Sequence, residues 1–386
     1  MLVRHLTLSH FRNHTSTEIE LHPGVNLLVG SNGQGKTNCV EAIAYLATLS
    51  SHRVAGYQPL IQHDQPQSII RAMVSHEERD VLVEVELNRD STNRARINKS
   101  DAKRVRDVLG IVNTVVFAPE DLDIVKKDPS NRRAFIDGLV VQVWPRFAGV
   151  YSDYDRVLKQ RNTLLRTARQ TGTRGNALST LDAWDDQMVR LGSEIVNARL
   201  DLIERLRPFL TSAYQDIAIA NNEPTIMVRS SLVGAGVLDE DEDLPYLSFT
   251  ERGAVETMYR EKLAAVRSKE LERGITLIGP HRDDLVLLLG GKAAKLYASH
   301  GESWSYALAL RLASMKLLRE ETRTGDPILI LDDVFAELDA GRRTRLAELV
   351  ADNEQVLITA AVPEDVPEVL KARHFNVENG EVSRGA

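Results

Sequence analysis

The 386-residue sequence contains a single cysteine and no long apolar run. One cysteine, Cys39, cannot form an internal disulfide, which favours a reducing compartment such as the cytoplasm. No apolar stretch approaches the roughly 18 residues of a membrane-spanning helix, and the first residues lack the apolar core of a secretory signal. These absences predict a cytoplasmic protein without membrane spans, and the length suits two or three domains, or one large head with an insertion.

An excess of positive charge is also missing, because 48 Lys and Arg face 55 Asp and Glu, giving a formal net charge of −7. Diffuse electrostatic coating of nucleic acid is therefore not expected. Basic residues are nevertheless concentrated between Arg89 and Arg106. This stretch is either a solvated hairpin or a phosphate-contacting patch, whose candidates are Arg94, Arg96, Lys99, Lys103, Arg104 and Arg106.

Strand and helix patterns alternate near both ends of the chain. Alternating or apolar segments predict strands at 2–8, 17–21, 25–29, 81–87, 114–119, 275–279, 284–291, 327–331 and 355–360. Helical patterns cover 36–50, 303–322 and 340–352. These alternating patterns predict an α/β head assembled from both chain ends.

The middle of the chain has a helical texture. A heptad-type seam of apolar residues runs from Leu181 to Leu202, and residues 147–169 are also helical in pattern. The turn-rich segment 170–176 between them predicts a short antiparallel hairpin, and the acidic segment 221–245 predicts a loop. The predicted division is therefore 1–143 and 271–386 for the two parts of the head, with an inserted helical lobe at 144–270.

A phosphate-binding loop follows the apolar run at 25–29 and precedes a predicted helix. The pattern G-x-x-x-x-G-K-T needs glycines so that backbone N–H groups can surround a phosphate at a helix N-terminus. Lysine in this pattern reaches the β- and γ-phosphates, and the threonine hydroxyl binds Mg²⁺. The candidate ATP-binding residues are Gly30, Ser31, Asn32, Gly33, Gln34, Gly35, Lys36, Thr37 and Asn38.

A phosphate-binding loop of this kind requires an acidic residue at the end of a buried strand. The run at 328–331 is followed by Asp332 and Asp333. Asp332 is predicted to hold Mg²⁺ through its water shell, and Asp333 to orient or deprotonate the attacking water. The alternative is an ordinary helix start with two acidic residues.

The order of these elements separates classes of nucleotide enzyme. Small kinases and GTPases place the two elements much closer together. Residues 98–101 match the guanine-recognition pattern N-K-x-D, but they precede the acidic strand end instead of following it. A P-loop kinase or GTPase is therefore disfavoured.

Ser299, Gly301 and Glu302 open the helix before the acidic strand. They resemble the signature motif of ABC-type ATPases, which contacts ATP held by the opposite subunit; the alternative is a simple helix cap. In the same resemblance, Asp339 corresponds to the D-loop, Thr359 to the switch position and Glu120 to the Q-loop position. Arg53 resembles an arginine that related ATPase heads place near the triphosphate; the alternative is an exposed arginine near a turn. The superfamily usually has His at the switch and Glu as the second acidic residue, so Thr359 and Asp333 depart from its pattern.

Matches along most of the chain resemble the RecF family, in the SMC-like branch of these ATPases: HFRN (10–13), GSNGQGKTN (30–38), VFAPEDL (116–122), NRRAFID (131–137), IGPHRDDL (278–285) and LDDVFAELD (331–339). The resemblance implies an ABC-type P-loop ATPase head with an inserted helical lobe, which dimerises on ATP and acts as a slow DNA-linked ATPase. It also implies DNA binding at gaps or duplex junctions, and cooperation with RecR, and through it RecO and RecA, in repair. The alternative is a nucleotide-dependent assembly module that acts on protein partners without DNA.

Overall fold

The computed structural model describes residues 1–54, 56–77, 79–172, 179–218, 222–233, 246–322 and 324–385. The chain divides into two compact units. The first unit comprises Met1–Leu122, Ser212–Asn221 and His300–Ala386, and the second comprises Asp123–Thr211 and Asn222–Ser299. The boundaries predicted at residues 143 and 270 stay a prediction. Within the described ranges, no helix is long and apolar enough to cross a membrane.

The strands are β1 (Leu2–Phe11), β2 (His14–Glu20), β3 (Gly24–Val29), β4 (Gln67–His76), β5 (Arg79–Asn88), β6 (Arg94–Ile97), β7 (Ser100–Asp101), β8 (Thr114–Phe117), β9 (Pro224–Arg229), β10 (Tyr246–Leu247), β11 (Asp284–Leu289), β12 (Lys292–Ala293), β13 (Ile328–Asp332), β14 (Gln355–Ala360), β15 (Arg373–Glu378) and β16 (Glu381–Arg384). The α-helices are α1 (Lys36–Thr48), α2 (Leu122–Lys126), α3 (Pro129–Val143), α4 (Phe147–Thr171), α5 (Ser179–Ile217), α6 (Val255–Arg273), α7 (Ala294–Tyr297), α8 (His300–Glu321) and α9 (Ala340–Val350).

A six-stranded sheet in the first unit has the order β16-β15-β3-β14-β13-β8. The five strands from β15 to β8 are parallel, and β16 pairs antiparallel with β15. Strands β13 and β14 are buried on both faces, as expected for near-continuous apolar runs in a parallel sheet. Because β3 and β8 come from the N-terminal part and the others from the C-terminal part, the predicted α/β head built from both chain ends is confirmed.

A second sheet in this unit is antiparallel, with the order β2-β1-β4-β5-β6-β7. Helix α1 contacts β1 of this sheet and β13 and β14 of the parallel sheet. Ten of its thirteen residues are buried, since apolar neighbours cover it on both sides. The helix that follows the predicted phosphate-binding loop is thereby packed between the two sheets.

The second unit contains α3, α4, α6, most of α5 and the antiparallel sheet β10-β9-β11-β12. Arg161 of α4 pairs with Asp185 of α5, and Arg146, which precedes α4, pairs with Glu194. Residue numbers increase along α4 while those of their partners on α5 decrease, so the two helices run antiparallel. The predicted antiparallel hairpin is confirmed. Of its predicted turn, residues 173–176 lie outside the described residues.

Two sequence predictions in this region were wrong. Part of the predicted loop at 221–245 is strand β9, whose alternating segment pairs with β11; residues 234–245 lie outside the described residues. The predicted strand at 275–279 is not a strand. Its backbone N–H groups donate to side chains instead of a neighbouring strand: Thr276 to Asn162, Leu277 to Glu270 and Gly279 to Ser231.

Candidate nucleotide-binding site

The loop between β3 and α1 leaves the start of α1 open. Gly35 is the N-cap residue and has no side chain, so no cap occupies the first backbone N–H groups of the helix. Its φ of 117° lies in the region that favours glycine. A Cβ on Gly35 would lie 2.8 Å from Oδ1 of Asn13, so the position also lacks space for any side chain. Uncapped N–H groups at a helix N-terminus form an anion site.

Lys36 brings positive charge into this loop. Its side chain is only 3% exposed, and Nζ donates to the carbonyl oxygens of Gly30 at 2.7 Å and Ser31 at 3.2 Å. The ammonium group is thus held inside the curve of the loop by the loop's own backbone. Residues 31–33 at the tip of the loop are exposed.

Asp332 joins three elements at the carboxyl ends of the parallel strands. Its Oδ1 accepts a 2.8 Å hydrogen bond from Thr37 at the start of α1 and a 2.6 Å bond from Thr359 on β14. Each hydrogen bond to a charged acceptor contributes about 1.5–3 kcal/mol. Burial alone would raise the pKa of Asp332, but His52 and the hydroxyls of Thr359 and Thr37 outweigh it and lower the pKa. The carboxylate is therefore ionised at neutral pH.

Asp333 follows in a left-handed conformation, with φ of 51°, which is uncommon outside glycine. Its backbone N–H donates to the Thr359 hydroxyl at 2.9 Å, and this bond helps hold the turn. Burial and the neighbouring Asp332 raise the pKa of Asp333, and Lys36 partly offsets the increase. Two adjacent carboxylates therefore have pKa values displaced in opposite directions.

The predicted phosphate-binding loop contacts two turns that are distant from it in the sequence. Asn13, between β1 and β2, donates to the Gln34 carbonyl at 2.9 Å and accepts from Asn38 at 2.7 Å. Gly380, between β15 and β16, donates its N–H to the same Gln34 carbonyl at 2.9 Å. His14 is buried and contacts the carbonyl oxygens of both Gly35 and Gly380. The HFRN motif quoted above thus ends beside the loop, a role that no local pattern indicated.

The segment after α1 presents two neighbouring side chains to different partners. Arg53 donates to Asn38 Oδ1 at 3.0 Å and lies 3.5 Å from Glu41, so it contacts α1. His52 lies beside Asp332 instead, with Nε2 3.9 Å from Oδ2. Sequence reasoning singled out Arg53 and missed His52.

A second group of predicted residues meets at Arg342. Asp339 caps α9 by accepting from the Arg342 N–H at 3.0 Å, and the Arg342 side chain forms an ion pair with it. This hydrogen bond lowers the pKa of Asp339. The guanidinium also lies over Gly301, where an added Cβ would be 2.8 Å from Nη2. Arg342 therefore joins the predicted signature and D-loop residues, although nothing in the sequence singled it out. Ser299 is exposed and Glu302 lies in the first turn of α8.

The basic stretch lies at the β6–β7 edge of the antiparallel sheet. Arg96 is committed to two carboxylates, Glu84 at 2.8 Å and Asp101 at 2.9 Å. Arg94, Lys99 and Lys103 are exposed and make no ion pair or side-chain hydrogen bond with any described residue. Arg104 is exposed and Arg106 is half-buried. A cavity of about 530 Å³ beside them is lined by Arg71, Leu82, Glu84, Arg96, Lys99 and Asp101.

The residues present fit a nucleotide phosphate with a divalent cation. The open N-terminus of α1 and Lys36 supply N–H donors and positive charge for a phosphate. The Thr37 hydroxyl and the ionised Asp332 supply the oxygen donors that Mg²⁺ prefers when it is shared with substrate phosphates.

Comparison with known proteins agrees with this geometry. The family model described as RecF/RecN/SMC N terminal domain matches residues 2–381. The DNA replication and repair protein RecF of Leifsonia xyli subsp. xyli is 51% identical over 382 residues, covering 99% of both chains. The protein of the same name from Streptomyces avermitilis is 53% identical over 387 residues, covering 100% of both.

Among solved structures, that of the recombination mediator protein RecF-ATPrS in the RecFOR pathway superposes with a TM-score of 0.86. It is 26% identical and the match covers 100% of this chain and 98% of that one. Sequence identity over the full length and the shared fold lead to the same conclusion: the chain belongs to the RecF family.

Proposed function

We propose that this chain is an ATP-dependent DNA-binding protein of recombinational repair and replication restart, with slow hydrolysis of ATP. The observation that carries the proposal is the hydrogen bonding of Asp332 to Thr37 and Thr359 beside the open start of α1. This arrangement suits the phosphates and the metal ion of a nucleotide. The names of the relatives, DNA replication and repair protein RecF, support the DNA-linked role.

Within this proposal, each residue has a chemical task. The loop amides of residues 30–38 and Lys36 bind the phosphates, while Thr37 and Asp332 hold Mg²⁺, which neutralises phosphate charge when bound. Asp333 accepts a proton from, or orients, the attacking water. Its raised pKa suits a base better than the lowered pKa of Asp332 does.

ATP acts as a dimerisation ligand in the same proposal. Ser299, Gly301 and Glu302 of one subunit complete the phosphate site of the other, and Asp339 lies beside them through Arg342. Exposed Ser299 and the N-terminus of the 22-residue helix α8 supply donors for an incoming phosphate. Dimerisation then closes the heads on DNA, and cooperation with RecR, and through it RecO and RecA, follows from the family resemblance.

Sedimentation velocity with and without ATPγS tests this function. We expect the wild-type protein to shift toward a dimer when ATPγS and Mg²⁺ are added. Lys36→Met should remain unshifted, because the ammonium group inside the loop is lost. Lys371→Met is the matched control, since Lys371 is exposed and outside the site, and it should behave as wild type. A Lys36→Met protein that dimerises normally contradicts the assignment of the loop.

A further inference from the structure

The imidazole of His52 is a buried polar group beside the proposed site. Both of its ring nitrogens are buried and have no hydrogen-bond partner among the described residues, although the side chain as a whole is 17% exposed. The 3.9 Å between Nε2 and Oδ2 of Asp332 is too long for a hydrogen bond. A neutral imidazole carries one N–H donor and one acceptor. A buried N–H without an acceptor is unfavourable. Asp332 lies close enough for the ring to lower the pKa of its carboxyl, but it does not accept a hydrogen bond from the ring.

The position of His52 indicates what that partner is. Asp332 is the residue assigned to the metal ion, and the same carboxylate accepts from Thr37, the residue after Lys36. The ring therefore lies beside the carboxylate assigned to the metal ion, and metal ions in sites of this kind bridge the β- and γ-phosphates. Phosphate oxygens at neutral pH only accept hydrogen bonds, which matches an unpaired ring N–H.

The segment that carries His52 is anchored to α1 by hydrogen bonds of the two neighbouring residues. The Ser51 hydroxyl donates to buried Glu41 of α1 and accepts from the backbone N–H groups of Arg53 at 3.0 Å and Val54 at 3.2 Å. Arg53 donates to Asn38 of α1. The imidazole is thus positioned by its two neighbours, and donors that are placed in advance add most to specificity.

We propose that His52 donates a ring N–H to the terminal phosphate of a bound nucleoside triphosphate and makes the site prefer triphosphate over diphosphate. This inference rests on the nucleotide-binding function proposed above. His52 reaches the site from the segment after α1, whereas Thr359 at the end of β14 is committed to Asp332 and Asp333.

Equilibrium binding of ATPγS and of ADP, each with Mg²⁺, tests the inference without relying on turnover. His52→Leu keeps most of the volume of the ring but removes its donor and acceptor. We expect ATPγS binding to weaken about 10-fold or more, the usual effect of losing a hydrogen bond to a charged group. ADP binding should change less than about threefold. His63→Leu is the control, because His63 is 93% exposed, and it should leave both affinities unchanged.

Equal weakening for both nucleotides, or no change for either, overturns the role of His52. If wild-type protein binds neither nucleotide, the proposed function itself fails. If wild type binds ATPγS but His52→Leu keeps the wild-type preference, only the inference fails.

A second measurement uses the wild-type protein and does not depend on the folding of His52→Leu. The ring-nitrogen NMR signals of His52, identified by their loss in His52→Gln, should shift on addition of ATPγS and much less on addition of ADP. Identical spectra with the two nucleotides contradict the inference.

Discussion

Thr37 and Asp332 are 295 positions apart in the chain and are joined by a 2.8 Å hydrogen bond between hydroxyl and carboxylate. The bond links the start of α1 to the carboxyl end of β13, where Thr359 of β14 adds a second donor. The two chain ends therefore meet in one polar cluster at the edge of the parallel sheet. Substitutions on the two sides of this cluster should separate binding of nucleotide from its hydrolysis.

Asp333→Asn should act after nucleotide binding. The amide keeps a polar group of the same size but cannot accept a proton, so hydrolysis should fall by roughly 10²–10⁴-fold. ATP-bound dimers should persist, because the loop and Lys36 are unchanged. Phosphate release and sedimentation, measured on the same sample, check both parts. Unchanged turnover would show that another group performs the task assigned to Asp333.

Ser299→Arg should block dimerisation and leave ATP binding by the monomer intact, because the bulky side chain fills the partner's phosphate site and not its own. Mixing this variant with Lys36→Met gives one site with an intact loop and an intact signature, so partial ATPase activity should return. The two variants alone serve as controls. If Ser299→Arg lowers the ATP affinity of the monomer, the residue acts within its own subunit.

Replacing Arg94, Lys99 and Lys103 by Ala should weaken DNA binding about equally on unrelated sequences, because phosphate contacts carry little sequence information. Each lost contact should reduce the slope of log affinity against log salt by about one unit. Arg96→Ala is the contrasting variant, because its guanidinium is paired with Glu84 and Asp101. Its loss should lower the thermal stability of the protein and change the salt slope of DNA binding little. A triple variant with the wild-type slope would make the β6–β7 edge a solvated hairpin.

Cys39 should resist thiol reagents in the native protein. Burial in α1, between the two sheets of the first unit, raises the pKa of its thiol to about 12. Only the thiolate reacts, so a raised pKa means little reaction from pH 7 to pH 9. In denaturant the pKa returns to about 8.5 and labelling becomes fast. Rapid native labelling at pH 8 would show that α1 is not packed as described.

Local patterns predicted the parts of the site that lie within one turn or one strand. The loop at 30–37 and the strand that ends at Asp332 follow from short-range rules of glycine conformation and burial, and both elements are present as expected. The head built from both chain ends followed from the order of these elements. Their roles in nucleotide binding stay predictions.

These short-range rules could not predict contacts between segments that are distant in the sequence. The segment at 275–279 has the composition of a strand, but Asn162, Glu270 and Ser231 bind its N–H groups from three separate elements. Pairing of Arg96 with Glu84 depends on the register of β5 and β6, which a charge count cannot supply. No local sequence pattern marks His52 or Arg342. Only the fold places His52 near Asp332 and Arg342 beside Gly301.

If nucleotide binding at the loop controls DNA binding, DNA affinity measured with and without ATPγS across a salt series should reveal it. We expect ATPγS with Mg²⁺ to tighten binding to gapped or junction DNA in the wild-type protein and in Lys371→Met, but not in Lys36→Met. DNA affinity that is the same with and without nucleotide, at every salt concentration, would contradict it and favour an assembly module that acts on protein partners.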